Sequence, residues 1–304
     1  MDTLSLILDE MRLQGAISAI VHLKAPWSLR LQTPGLAAYH VVIAGSTVLL
    51  REGQEPLRLH AGDLVIIPSG KAHVLQDEPG VRLHGADLRA AIEHMGDEAV
   101  CFGAEPPDTQ LVSGYFRFDV GRAAPLVAAL PDVIHISQSQ GHFRSWLSIG
   151  IQFLNQELSA RRPAHQAILN RVADIMLMEC LREYVESLPE GSTNWLAALK
   201  DPAVSAALGA MHREPGRAWT VPDLAAVACL SRSAFAERFT AMLGQPPLTY
   251  LTQHRMRLAA WQLRHTAMTV TRIAEQVGYT SETSFSQAFK REHGVSPSQF
   301  RATA

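Results

Sequence analysis

The chain reads as a two-domain α+β protein. A β-rich barrel with trailing helices comes first, and an all-α C-terminal domain holds two helix-turn-helix motifs joined by a linker helix. Three observations predict this. Residues 15 to about 120 break into short apolar or alternating runs punctuated by Gly and Pro. Beyond residue 197 the apolar residues recur at helical spacing. Within that second half, one segment is repeated.

The β-rich part contains the runs AYHVVIAG, STVLLREG, EPLRLHAG and DLVIIPSG, spaced as short strands of a sandwich or barrel. Residues 143–161 and 165–187 read as helices broken at Arg162-Pro163. In the second helix, Ile168, Val172, Ile175, Met176 and Leu181 form the apolar stripe. Pro189 to Asn194 is rich in turn formers and aperiodic. The expected organisation is therefore a regulatory and dimerisation domain over 1–188, a linker over 189–196 and a helical domain over 197–304. Asp201-Pro202 reads as an N-cap followed by Pro at the first helical position.

The repeat pairs Val221–Tyr250 with Val270–Phe300. Val221, Leu224 and Ala225 correspond to Val270, Ile273 and Ala274. Ser231, Phe235, Phe239, Gly244, Pro247 and Tyr250 correspond to Ser281, Phe285, Phe289, Gly294, Pro297 and Phe300, with one extra residue in the second turn. Each copy reads as a short helix, a turn, a capping serine and a second helix, so two DNA-contacting units are expected. The phenylalanines, at i and i+4, take the buried face. The opposite face presents Arg232, Ser233, Ala236 and Glu237 in the first copy, and Glu282, Thr283, Ser286, Gln287 and Lys290 in the second. A helix over 248–264, with Leu251, Leu258, Trp261 and Leu263, would hold the units apart. Recognition helices entering successive grooves on one DNA face sit about 34 Å apart.

Charge agrees with this division. Residues 197–304 hold 12 Lys and Arg against 7 Asp and Glu, and residues 1–196 hold 15 against 22, so a basic domain follows an acidic one. No run of 18 apolar residues is present. The N-terminus, with Asp2, Asp9 and Glu10 and no basic stretch, does not read as a signal peptide. Three scattered cysteines suit a reducing cytoplasm. Cys180 and Cys229 are expected to be buried, leaving Cys101 as the exposed thiol, with no neighbouring base to activate it for redox sensing.

The second copy carries Ile273-Ala274, Val277-Gly278-Tyr279, Ser281, Phe285, Ala288-Phe289-Lys290, Gly294, Pro297 and Phe300-Arg301. This pattern closely resembles the AraC/XylS family of transcriptional regulators. The resemblance covers about 100 residues and implies base-edge contacts from Ser233, Ala236, Glu237, Glu282, Thr283, Ser286 and Gln287. Arg232, Lys290 and Arg291 are then the phosphate contacts. Gln287 suits adenine and the glutamates suit cytosine N4, with a share of specificity left to DNA shape. The implied partners are double-stranded DNA at a bipartite site, RNA polymerase and a second copy of the chain, with no membrane.

In the N-terminal half, Gly62-Asp63…Pro68…Gly70…His73 (GDLVIIPSGKAH) is similar to the second motif of the cupin superfamily. The first motif departs from the metal-binding pattern. His40 is followed by Val42, and Ser46 and Thr47 stand where a glutamate belongs. The resemblance implies a cupin-like regulatory domain whose barrel encloses a small-molecule effector of unassigned identity, with His40, His60 and His73, and His84 beyond them, as pocket candidates. His40 and His73 are the two residues a metal would use, and the absent carboxylate argues against one. Some relatives carry a cysteine at the position of Ser113, so thiol chemistry is removed there. The helices over 143–187 are expected to dimerise, with Leu169, Val172, Met176 and Leu177 as candidates. The alternative readings are a cupin oxygenase or isomerase with a helical appendage, and a redox-responsive regulator. No nucleophile motif, phosphate loop or paired acid/base spacing supports an enzyme.

Overall fold

A computed structural model of the chain describes residues 2–12, 14–79, 86–87, 100–103, 106–137, 144–160 and 162–303. His84 lies outside them. The chain divides into two compact units: residues 13–118 with 130–184, and residues 1–12 with 119–129 and 185–304.

The first unit is built on two sheets. One has the order β11 (Ile134–Ile136), β6 (Leu64–Ile67), β3 (Ala37–Ala44), β10 (Thr109–Arg117), β1 (Gln14–Leu23), β9 (Val100–Phe102). The other runs β5 (Leu57–His60), β4 (Ser46–Arg51), β7 (His73–Gln76), β2 (Ser28–Leu31), β8 (Ala86–Asp87). β3 lies between β6 and β10, both antiparallel to it, and is buried on both faces from Ala37 to Val42. This explains its unbroken apolar run. Between the sheets pack Trp27, Leu29, Val42, Leu49, Leu59 and Leu75. Each such side chain contributes on the order of 2 kcal/mol by leaving water.

Two helices follow, α3 (Arg144–Ala160) and α4 (His165–Ser187), broken at the Pro163 region as expected. α4 covers the start of β1 with polar side chains. Gln166 Nε2 donates to the Ile17 carbonyl at 3.2 Å, Asn170 Oδ1 accepts from Ile17 N–H at 3.2 Å, and Asp174 Oδ1 accepts from Gly15 N–H at 2.5 Å. These groups satisfy a strand edge that would otherwise be open to pairing.

The second unit is helical. It comprises α1 (Thr3–Met11), α2 (Val120–Ala129), a 3-10 turn (Ala197–Leu199), α5 (Pro202–Arg213), α6 (Val221–Val227), α7 (Arg232–Leu243), α8 (Pro247–His265), α9 (Val270–Gln276), α10 (Glu282–His293) and α11 (Pro297–Ala302). The caps follow the sequence. Asp201 accepts from Ala203 and Val204 N–H, Ser231 from Ala234 N–H and Ser281 from Ser284 N–H, while Gly244 and Gly294 close α7 and α10 in the left-handed conformation.

By packing, the compact units do not follow the chain order of the expected domains. α1 and α2 belong with the helices after residue 185, because α1 buries Ile7, Leu8 and Met11 there and Thr3 Oγ1 donates to the Ser205 carbonyl. The expected linker over 189–196 does not extend past 194, since Trp195 and Leu196 are buried in this unit.

Candidate nucleic-acid interface and barrel interior

Both helix-turn-helix units are built around a pair of phenylalanines. Phe235 and Phe239 are fully buried in α7, with ring centroids 5.5 Å apart, and Phe285 and Phe289 are fully buried in α10, 5.8 Å apart. This burial turns the opposite faces to solvent. Arg232, Ser233 and Glu237 are exposed on α7, as are Glu282, Thr283, Gln287, Lys290 and Arg291 on α10. Ala236 and Ser286 are half-buried, so their reach toward a base edge is short. The Glu282 carboxylate accepts a hydrogen bond from the Thr271 hydroxyl, which competes with any cytosine contact. Arg238, not among the expected residues, is paired with Asp201. Its Nε donates to Oδ2 at 2.7 Å, tying α7 to the capped start of α5. The two residues lie far apart in sequence, so no local pattern announces the pair.

The turns of the two copies differ in one instructive way. Cys229 has φ 54° and Gly278, its counterpart, has φ 85°. The left-handed geometry points the Cys229 side chain outward. The thiol is exposed, which corrects the expectation that it is buried. Cys180 is buried as expected, and burial pushes its thiol pKa well up. Cys101 is exposed.

α8 joins the two units. Its 19 residues span about 28 Å at 1.5 Å per residue. Arg255 on α8 donates from Nε to the Pro215 carbonyl and from Nη2 to the Arg217 carbonyl, each at 2.7 Å. Beside it, the loop before α6 meets the turn after α9 at two glycines. A Cβ on Gly216 would lie 2.6 Å from the Gln276 carbonyl oxygen, and one on Gly278 would lie 2.5 Å from the Gly216 oxygen. Only glycine permits this approach. The two units are thus joined by backbone contact as well as by the linker helix.

Inside the barrel, His40 and His73 come together and His60 does not. The burial of β5 alternates, with Leu59 inside and Arg58 and His60 outside, so His60 is exposed and is not a pocket residue. His40 on β3 and His73 on β7 link the two sheets through Nε2 atoms 2.8 Å apart. His73 Nδ1 lies 2.8 Å from the Lys71 carbonyl, which only accepts, so this nitrogen carries the proton and Nε2 is an acceptor. His40 therefore donates from Nε2, and its Nδ1 accepts from the Ser113 hydroxyl at 2.9 Å. Burial holds both imidazoles neutral by lowering their pKa, with His73 adding to the effect on His40. Each ring nitrogen of the pair is thereby satisfied within the protein. Where a glutamate would stand, Thr47 is fully buried and donates to the Gln76 carbonyl at 3.0 Å. The site offers two imidazoles and the Ser113 hydroxyl, and no carboxylate occupies the expected position.

Of the dimerisation candidates, Leu169, Met176 and Leu177 are buried within the first unit and Val172 is half-buried. Among the described residues of α3 and α4, Ile149, Phe153, Ile175 and Met178 are the exposed large apolar side chains. Among the described residues no helix is long and apolar enough to cross a membrane.

Residues 2–186 match a family model described as Cupin, and residues 224–303 match one described as Helix-turn-helix domain. The chain is 33% identical over 304 residues to the HTH-type transcriptional regulator AlkR of Acinetobacter baylyi, covering 99% of each chain. It is 34% identical over 303 residues to a putative AraC-like transcription regulator of Streptomyces lividans, covering 99% of this chain and 98% of that one. The solved DNA-binding domain of AdpA, in complex with a target DNA, is 30% identical over 34% of this chain and 92% of that domain, with a TM-score of 0.32. The chain belongs to the AraC-like transcriptional regulators, with a cupin domain ahead of an AraC-type helix-turn-helix domain. This is a family of regulators rather than enzymes.

Proposed function

We propose that this chain regulates transcription by reading a bipartite site on double-stranded DNA with α7 and α10, under the control of a small molecule held by the cupin domain. The carrying observation is the pair of capped, outward-facing helices fixed to one linker helix and to each other through Gly216 and Gly278. Arg232, Lys290 and Arg291 serve as phosphate contacts, and Ser233, Glu237, Thr283 and Gln287 lead the base contacts, with Ala236, Ser286 and Glu282 secondary. The effector acts on the His40–His73–Ser113 chain, since any polar ligand entering there must replace hydrogen bonds already made. The chain works in the cytoplasm as a homodimer. Ile149, Phe153, Ile175 and Met178 form its exposed apolar face, and RNA polymerase is a further partner.

The test is selection of fragmented genomic DNA by the purified full chain at two salt concentrations. A recurrent motif with half-sites about one helical turn apart supports the reading. Binding without a motif, or none at all, overturns it. Lys290→Ala is expected to weaken binding to all sequences and lower the salt slope by about 0.9. Gln287→Ala is expected to change sequence preference at one position.

A further inference from the structure

The helical unit contains a second cluster of chemistry, carried by neither of the two helices α7 and α10. Glu10 at the end of α1, His212 at the end of α5 and His254 in the middle of α8 each offer one ligand atom, all within 4.8 Å of one another. His212 and His254 are 7% and 3% exposed. Their rings lie with centroids 4.0 Å apart. His212 Nδ1 donates to Glu10 Oε2 at 2.9 Å, so its Nε2 accepts from the Tyr250 hydroxyl at 2.9 Å, and that hydroxyl accepts from Trp195 Nε1 at 3.2 Å. His254 Nε2 is buried and has no hydrogen-bond partner among the described residues. A buried polar atom without a partner carries a cost that a ligand would remove.

We propose that Glu10, His212 and His254 form a binding site for a divalent transition-metal ion of the zinc or cobalt class. Two imidazoles and a carboxylate suit such an ion, and the set leaves a coordination position open. The adjoining cavity, about 10 Å³, is lined by Glu10, His212, Tyr250, His254, Arg122 and Arg257, and admits a water-sized occupant but no organic effector. Tyr250 already stands against the far nitrogen of His212. If His212 binds metal through Nδ1, its proton moves to Nε2, which donates to the Tyr250 oxygen once that hydroxyl rotates its own hydrogen away, and the number of protons on the ring is unchanged. Arg122 and Arg257 place positive charge at the cavity, which opposes hard, weakly imidazole-bound ions such as magnesium or calcium and moderates affinity for any cation. Arg122 is turned away in part, its guanidinium stacked 4.2 Å from the Trp261 ring and its Nη1 donating to the Glu10 carbonyl. A bound ion would clamp α1 to α5 and α8, so it would stiffen the domain that carries the recognition helices.

The experiment is titration of the full-length protein, stripped with chelator, with cobalt(II), followed by its visible d–d absorption, with zinc competition. One equivalent per chain is expected, without a strong sulfur-to-cobalt band, and a rise in Tm on binding. His254→Gln and Glu10→Gln should each weaken binding tenfold or more, while a His40→Asn/His73→Asn double variant should leave it unchanged. Glu10→Gln is half-exposed and conservative, and circular dichroism verifies that each variant is folded. No binding at micromolar metal, binding that survives both ligand variants, or loss of binding only in the His40/His73 variant would each overturn the proposal.

Discussion

Replacing Gly216 with alanine tests whether the two helix-turn-helix units act as one rigid reader. The added Cβ would fall 2.6 Å from the Gln276 carbonyl oxygen, inside the 3.0 Å limit that real Cβ contacts respect. The obstacle is backbone at the end of α9, so one unit must retreat from the other by at least ~0.4 Å. Overpacking of this kind costs about 2 kcal/mol, and the Tm should fall on the order of 8 °C. If half of that strain is relieved by tilting the second unit, docking both helices on a full site costs about 1 kcal/mol more, roughly fivefold in Kd. Binding to a single half-site has no such requirement. Thermal unfolding and fluorescence anisotropy on full-site and half-site duplexes measure both effects. A lowered Tm with an unchanged ratio of full-site to half-site affinity would refute the coupling. An unchanged Tm would refute the close approach itself.

Cys229→Gly should stabilise the protein by about 0.5–1 kcal/mol in urea unfolding, because it removes a left-handed φ of 54° from a side chain that is exposed and packs little; destabilisation would show that the thiol makes a contact that matters. His40, His73 and His254 all have pKa values lowered by burial, so the unfolded chain binds their protons first. Their contribution is fully present above the unfolded pKa of about 6.5 and is lost as the pH falls from there through each folded pKa, with a slope of at most about 1.4 kcal/mol per pH unit for each histidine. Urea midpoints at pH 7.5 and 5.5 should therefore differ, and equal midpoints would contradict the neutral pairing. Ile149→Glu with Ile175→Glu should convert a dimer into monomers by sedimentation velocity without lowering the Tm, whereas Leu169→Ala should cost about 3 kcal/mol of stability, because Leu169 is 2% exposed.

What the sequence revealed was chiefly what depends on near neighbours. Ser231, Ser281 and Asp201 cap helices through backbone groups two or three residues away, and Gly244 and Gly294 end them in the conformation glycine favours. The inward phenylalanines follow from their i, i+4 spacing. Two further positions were legible from local pattern. The alternation Leu57-Arg58-Leu59-His60 already places His60 outside, and the alignment of Cys229 with Gly278 already marks a left-handed turn. The burial of Leu169, Met176 and Leu177 beside an exposed Ile175 was harder to read. α4 is apolar on more than one face, and only the barrel decides which face turns inward. Glu10 with His212 and Arg238 with Asp201 had no local signal, because their partners are joined by tertiary packing alone.

The contact between α4 and β1 has a mechanical side. Asn170 and Asp174, four residues apart, engage Ile17 and Gly15, two residues apart. Four helical residues advance about 6.0 Å and two strand residues about 6.6 Å, so the two elements mesh like a rack and pinion with nearly equal teeth. Small sliding would strip every tooth at once, and the next engaged position lies a full tooth away. A shift of β1 along its axis must therefore either break these hydrogen bonds together or carry α4 with it.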